Sequence, residues 1–123
     1  MDSKIKARWL AALRSGDYLQ ARGFLRSARG YCCLGVLCEI AVQEGVTTRV
    51  TRGEGAESYY GEDFFSTVLP EQVSDWAGGL SSSGALPGEA TIDGSFSGNT
   101  LADLNDSGRY TFEQIADVIE EYF

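Results

Sequence analysis

Residues 31–42 have the sequence Y-C-C-L-G-V-L-C-E-I-A-V, an apolar stretch that predicts a central helix. It is longer than a usual β-strand, and one of its faces repeats at helical spacing. That face consists of Cys33, Leu37, Ile40 and Ala41. The pattern predicts a nearly buried helix from about Cys32 to Glu44 that ends at Gly45. Because Gly35 inside a helix costs about 1 kcal/mol relative to alanine, we expect another element or a ligand to approach closely there.

Amphipathic patterns predict a helix near each end of the chain. Near the N-terminus the apolar positions are Ile5, Trp9, Leu10 and Leu13, and the pattern stops at Ser15-Gly16. At the C-terminus, Thr111 and Gln114 form a capping box ahead of an apolar stripe and a strongly acidic face. The stripe consists of Phe112, Ile115, Ala116, Ile119 and Phe123.

Shorter elements are expected between these helices. Asp17 and Gln20 predict a helical turn over Tyr18–Arg22, followed by an extended or turning segment over residues 24–30. Residues 46–61 predict a β-hairpin, since β-branched and aromatic residues flank a glycine-bearing turn. Short helices are expected with Pro70 at the first position and from Thr100 to Leu104, and residues 90–93 are a possible strand. The prediction is a single α+β domain, residues 1–123, whose N-terminal, buried central and C-terminal helices pack on a small antiparallel sheet.

The net charge of −8 conceals two unlike halves. Residues 1–53 carry nine Lys/Arg and four Asp/Glu, whereas residues 54–123 carry one basic and fourteen acidic residues. Such asymmetry suggests either a specialised electrostatic partner or docking of one half on the other.

The chain contains no histidine, which excludes a Ser-His-Asp triad, an H-E-x-x-H zinc site and a His-ligated haem. The cysteines Cys32, Cys33 and Cys38 are an odd number too closely spaced for a disulfide framework, and zinc would need a fourth ligand. We therefore expect reduced, buried thiols. Cys38 would lack an imidazole partner as a nucleophile, so we expect a binding protein without catalytic residues, metal or cofactor.

Three segments resemble one group of proteins. They are L-R-S-G-D-Y-x-Q at residues 13–20, Y-C-C-L-G-V-L-C-E at 31–39 and L-N-D-S-G-x-x-x-F-E-Q-I-A-D-V-I-E at 104–120. Together they resemble a functionally uncharacterised group of small bacteriophage and prophage proteins. The resemblance implies a viral accessory protein in the host bacterial cytoplasm. Small phage proteins commonly counter host defences, and the resemblance hands over no catalytic residues.

A candidate ligand site precedes the buried helix. Arg22, Arg26 and Arg29 stand at spacings of four and three residues. Free N–H groups at a helix start attract anions, and guanidinium forks match phosphate. With Tyr31 or Tyr18 for stacking, these residues predict a nucleotide pocket.

Asn105 and Asp106 are further candidates, for recognition of a base or ribose edge. Two plainer interpretations remain open. The arginines pair with the C-terminal acidic residues or face water, and Asn105-Asp106 only shapes a turn. The acidic residues concerned are Glu113, Asp117, Glu120 and Glu121.

Two functions fit these patterns. The first is sequestration of a phosphate-bearing small molecule, such as a nucleotide immune signal. The alternative is an acidic protein that imitates nucleic-acid charge and inhibits a defence nuclease or a CRISPR effector. No stretch reaches the length of a membrane span and no signal peptide is recognisable, so we expect neither function to involve a membrane. Neither function requires direct binding of nucleic acid.

The acidic half also predicts a homo-oligomer, most simply a two-fold dimer. It holds ten of the fourteen aromatic residues, more than one small sheet and one helix readily cover. An exposed apolar patch is the usual mark of an interface. The ten are Tyr59, Tyr60, Phe64, Phe65, Trp76, Phe96, Tyr110, Phe112, Tyr122 and Phe123.

Overall fold

The computed structural model describes residues 1–53, 55–88 and 99–123, which form five helices and two two-stranded antiparallel sheets. The helices are α1 (Ser3–Arg14), α2 (Cys33–Gln43), α3 (Glu71–Trp76), α4 (Leu101–Asp106) and α5 (Phe112–Tyr122). The strands pair as β1 (Arg26–Ser27) with β2 (Gly30–Tyr31), and β3 (Arg49–Arg52) with β4 (Glu57–Tyr60). The α+β prediction is confirmed, and the antiparallel pairing of β3 with β4 agrees with the predicted hairpin.

The central helix α2 is the core of the molecule. Every residue from Cys33 to Ala41 is buried, as the apolar stretch predicts. Helix α1 packs on both α2 and α5. The Trp9 indole N–H of α1 donates to the Cys33 carbonyl oxygen at 2.9 Å, so even the start of α2 is covered. Such a helix has almost no surface left for solvent or a ligand.

The helix ends follow the capping signals. Thr111 and Gln114 form the predicted capping box at α5, and the Thr100 hydroxyl accepts from the Asp103 N–H at α4. Pro70 is the N-cap of α3 rather than its first helical residue. The predicted break after Leu104 lies two residues later, since α4 continues to Asp106.

The predicted helical turn over Tyr18–Arg22 is wrong. Gln20 forms a parallel bridge with Tyr31 instead. The Tyr31 N–H donates to the Leu19 oxygen at 2.8 Å, and the Ala21 N–H donates to the Tyr31 oxygen at 2.7 Å. These long-range bonds take the backbone groups that a local helical turn would have used. The possible strand at residues 90–93 lies outside the described residues.

The expected excess of exposed aromatic residues is not found in the described part of the chain. Tyr60 and Phe112 are buried, six more of the acidic half's aromatic residues are partly buried, and only Phe64 is largely exposed, at 50%. Phe96 lies outside the described residues. The expected exposed aromatic patch is therefore wrong for the described residues, because Trp76, Tyr110, Tyr122 and Phe123 pack against the hydrophobic core. The homo-oligomer itself stays a prediction.

Gly35 is the point of close approach that the sequence predicts. A Cβ atom at this position would lie 1.7 Å from the Leu25 carbonyl oxygen. The obstacle is backbone, which cannot rotate away as a side chain does. The neighbour is thus another segment of the chain, and glycine at position 35 lets α2 pack against it.

We predict that Gly35→Ala lowers the free energy of unfolding by at least about 2 kcal/mol, as overpacking does in close-packed cores. In an uncrowded helix the same change would stabilise the protein by about 1 kcal/mol. Denaturant unfolding measures the difference, with Gly88→Ala as the matched control, since a Cβ there meets nothing within 4 Å. An unchanged or stabilised Gly35→Ala variant contradicts the packing described.

Candidate functional site

Asn105, at the end of α4, ties three segments together. Its buried side-chain amide accepts from Gln20 Nε2 at 3.0 Å and from the Cys33 N–H at 3.2 Å. The same amide donates to the Ala21 carbonyl at 2.8 Å and to Asp106 Oδ1 at 3.2 Å. All of its usual hydrogen-bonding capacity is engaged, so Asn105 acts within the fold.

Asp106 continues this anchor. Its Oδ1 accepts from the Gly23 N–H at 3.1 Å. Residues 19–29, here called the arginine loop, carry Arg22, Arg26 and Arg29. Asn105 and Asp106 hold the loop on both sides of Arg22, one at Ala21 and the other at Gly23. The two residues are more than a turn between helices, and their contacts position Arg22.

The N-terminus of α2 is not the anion site that the sequence suggested. The Cys33 N–H already donates to Asn105, and the Gly35 N–H donates to Cys32 Sγ at 3.3 Å. Cys32, Cys33 and Leu34 are also buried. Since these donors are both paired and covered, the helix start offers nothing to a phosphate.

The structure groups Arg26 with both candidate tyrosines. The Arg26 guanidinium carbon lies 5.2 Å from the centre of the Tyr31 ring, in cation–π geometry. The Tyr18 ring meets the Tyr31 ring edge-on, with 5.1 Å between ring centres. Tyr31 therefore already has a cation and a ring against it.

Below this group lies a buried carboxylate, Glu39 of α2, which sequence reasoning did not select. Its oxygens accept from Arg49 and, at 2.8 Å, from the Tyr60 hydroxyl. Arg26 Nη1 lies 3.9 Å from the same carboxylate. Burial and the bond to Glu39 raise the pKa of Tyr60. A lone charge inside the apolar stretch was the available signal, because a buried carboxylate needs partners.

Arg22 and Arg29 differ from the other described arginines. In residues 1–53, 55–88 and 99–123 neither makes an ion pair or a ring contact. Both line one cleft of about 220 Å³, here called the arginine cleft. Phe24, which is 38% exposed, lines it as well. The remaining lining residues are Ser27, Ala28, Gly55 and Glu57.

The Arg22 guanidinium also lies against Gly108. A Cβ atom at position 108 would be 2.5 Å from Arg22 Nη1, so a larger residue would displace the guanidinium. On this side Arg22 lines a second cleft of about 260 Å³, which adjoins a third of about 330 Å³ at Gln20 and Thr111. These two clefts are here called the α5 groove. Arg109 lies in its first part and Tyr18 in its second.

The acidic face of α5 does not use the candidate arginines. Arg14 of α1 pairs with Asp117 at 2.8 Å and with Glu120 at 3.2 Å. Lys6 donates to the Glu120 carbonyl oxygen at 3.0 Å. The interpretation in which Arg22, Arg26 and Arg29 pair with this helix is wrong, because α1 is the element that packs on α5.

The cysteines are buried and free, as the sequence predicts. Burial raises the pKa of the Cys32 thiol to about 11 and raises the pKa of the other two well above the ordinary range. Among the described residues, no three His, Cys, Asp or Glu side chains stand close enough to hold a metal ion. In the same part of the chain, no helix combines the length and the hydropathy of a membrane span.

We predict that Asn105→Ala lowers the free energy of unfolding by about 3 kcal/mol, since it leaves the buried Cys33 N–H and the Ala21 carbonyl without partners. Asn99→Ala is the control, because Asn99 is exposed and should change stability by less than about 0.5 kcal/mol. Thermal and denaturant unfolding measure both. Equal effects of the two variants contradict the anchoring role of Asn105.

Neither a curated protein nor a solved structure matches the chain. A family model described as "Domain of unknown function (DUF8296)" matches residues 1–123. The protein therefore belongs to the DUF8296 family.

Proposed function

We propose that the protein binds and sequesters a phosphate-bearing small molecule of the nucleotide class at Arg22 and Arg29. The proposal depends on which of the described arginines are paired with an acidic or aromatic side chain. Within the described residues Arg22 and Arg29 have neither an acidic nor an aromatic partner, and both line the arginine cleft.

An unpaired guanidinium retains its N–H donors for an incoming anion. Each charge-assisted hydrogen bond to phosphate contributes about 1.5 to 3 kcal/mol. Two arginines that bind through two N–H groups each supply roughly 6 kcal/mol or more before ordering costs, which favours affinities in the micromolar to millimolar range. Tighter sequestration requires contacts to the organic part of the ligand. Phe24 offers an apolar ring for this, and the Glu57 carboxylate offers an acceptor for a hydroxyl group.

The proposed setting is that of a viral accessory protein in the cytoplasm of a bacterial host, where the ligand would be a nucleotide immune signal. The support is the resemblance of residues 13–20, 31–39 and 104–120 to small phage and prophage proteins. Sequestration requires no chemical step, which agrees with a chain that contains no histidine. The proposal therefore assigns no catalytic residue.

One observation favours a second candidate, the acidic protein inhibitor. The acidic side chains of α5 are all exposed, and Asp117 remains 74% exposed despite its pairing with Arg14. These residues are Glu113, Asp117, Glu120 and Glu121. An inhibitor that imitates nucleic acid would present such a face to a nuclease or a CRISPR effector, and its association would slow steeply as salt rises.

For the first candidate, we predict that pyrophosphate binds the wild-type protein and that Arg22→Ala and Arg29→Ala each weaken binding at least about a hundredfold, because each removes two charge-assisted bonds of about 1.5 kcal/mol or more. Isothermal titration calorimetry at low ionic strength measures both changes. Lys4→Ala is the charge control, because Lys4 is exposed and lines none of the three clefts. Equal losses in all three variants mean unspecific attraction and contradict the site.

A charge reversal on α5 separates the two candidates. Glu120→Lys with Glu121→Lys leaves pyrophosphate affinity within about twofold if the arginine cleft is the site. The protein does not bind a phosphate ligand there if pyrophosphate has no measurable affinity and no nucleotide produces a thermal shift.

A further inference from the structure

The Gln20 side chain is fixed in one orientation at the edge of the α5 groove. Its Nε2 donates to Asn105 Oδ1 at 3.0 Å and to the Tyr110 carbonyl oxygen at 2.9 Å. Rotating the amide by half a turn would place Oε1 against these two oxygen acceptors. The hydrogen bonds therefore determine which way the amide faces.

The other end of this amide is unused. Within the described residues Gln20 Oε1 accepts no hydrogen bond, and the side chain is exposed. Gln20 lies where the two parts of the α5 groove adjoin, and Arg22 lines both that groove and the arginine cleft. A fixed acceptor thus stands two residues from a guanidinium without a partner.

The clefts leave room for a ligand larger than a phosphate group. The arginine cleft holds about 220 Å³, less than the roughly 300 to 1,000 Å³ of pockets that enclose whole small molecules. The two parts of the α5 groove add about 260 and 330 Å³ beyond Arg22. A phosphate ester whose phosphate contacts Arg22 therefore has room for its organic part beside Gln20.

We propose that Gln20 Oε1 selects the ligand by accepting a hydrogen bond from its organic part, an amino or ring N–H group of a nucleobase or a sugar hydroxyl. This inference rests on the proposed phosphate site and names the feature that distinguishes a nucleotide from a simple phosphate. A ligand that places an acceptor at this position meets a carbonyl oxygen that cannot turn away without losing two hydrogen bonds. Such a group discriminates far better than an apolar wall.

The test compares pyrophosphate with the nucleoside diphosphates ADP, GDP, CDP and UDP. The wild-type protein should bind at least one of the four at least tenfold more tightly than pyrophosphate. Gln20→Lys retains a donor toward Asn105 and Tyr110 but removes the acceptor, so the affinity for the preferred nucleotide itself should fall at least about tenfold even though the added charge attracts phosphate. Gln20→Met should abolish the preference. Gln72→Met, at an exposed position of α3, is the matched control and should retain it.

The outcomes separate this inference from the function on which it rests. Pyrophosphate binding without preference for any of the four nucleotides overturns the role of Gln20 and leaves the phosphate site intact. A nucleotide affinity that survives Gln20→Lys unchanged overturns it as well. If neither pyrophosphate nor any nucleotide binds, the proposed phosphate site itself is contradicted.

Discussion

The buried side chain of Asn105 connects the core to the arginine loop through its hydrogen bonds. One buried amide joins the end of α4 to the start of α2 and to the arginine loop. Its Oδ1 accepts the hydrogen bond of the Cys33 N–H. The N-terminus of α2 is therefore buried without an unpaired donor at Cys33. Asn105 also fixes the Gln20 amide and the backbone on one side of Arg22, which links the stability of the core to the geometry of the candidate site.

The division of charge along the sequence is resolved locally in the fold. Arg14 pairs with the acidic helix α5, and the buried Glu39 takes Arg49 with Arg26 beside it. Within the described part of the chain, Arg22 and Arg29 have no such partners and lie on a loop that Asn105 and Asp106 hold in place. The proposed function follows from these two arginines, because a guanidinium that is not paired within the fold is free to bind an anion.

Local patterns predicted all five helices of the described residues and the pairing of β3 with β4. A sequence pattern reflects contacts between residues close in sequence, and it reflects burial. The capping box at Thr111 is of the first kind. The apolar stretch at residues 31–42 and the crowding at Gly35 are of the second. The course of Tyr18–Arg22 escaped prediction, because its partner Tyr31 and its anchor Asn105 are distant along the chain. For the same reason the sequence did not indicate the hydrogen bonds of Asn105 to Gln20 and of Asp106 to Gly23. Glu39 was missed although its lone charge in the apolar stretch was a signal.

The proposed phosphate site is tested most directly by observing the NMR signals of the arginine side chains. Nitrogen-15 NMR resolves the Nε–H groups of individual arginines during titration with pyrophosphate, and arginine-to-lysine variants assign them. We expect the Arg22 and Arg29 signals to move together and saturate, while those of Arg8 and Arg14, which are paired with carboxylates, stay in place. Signals that do not move, or equal shifts in all four arginines, would contradict the claim that Arg22 and Arg29 form a phosphate site.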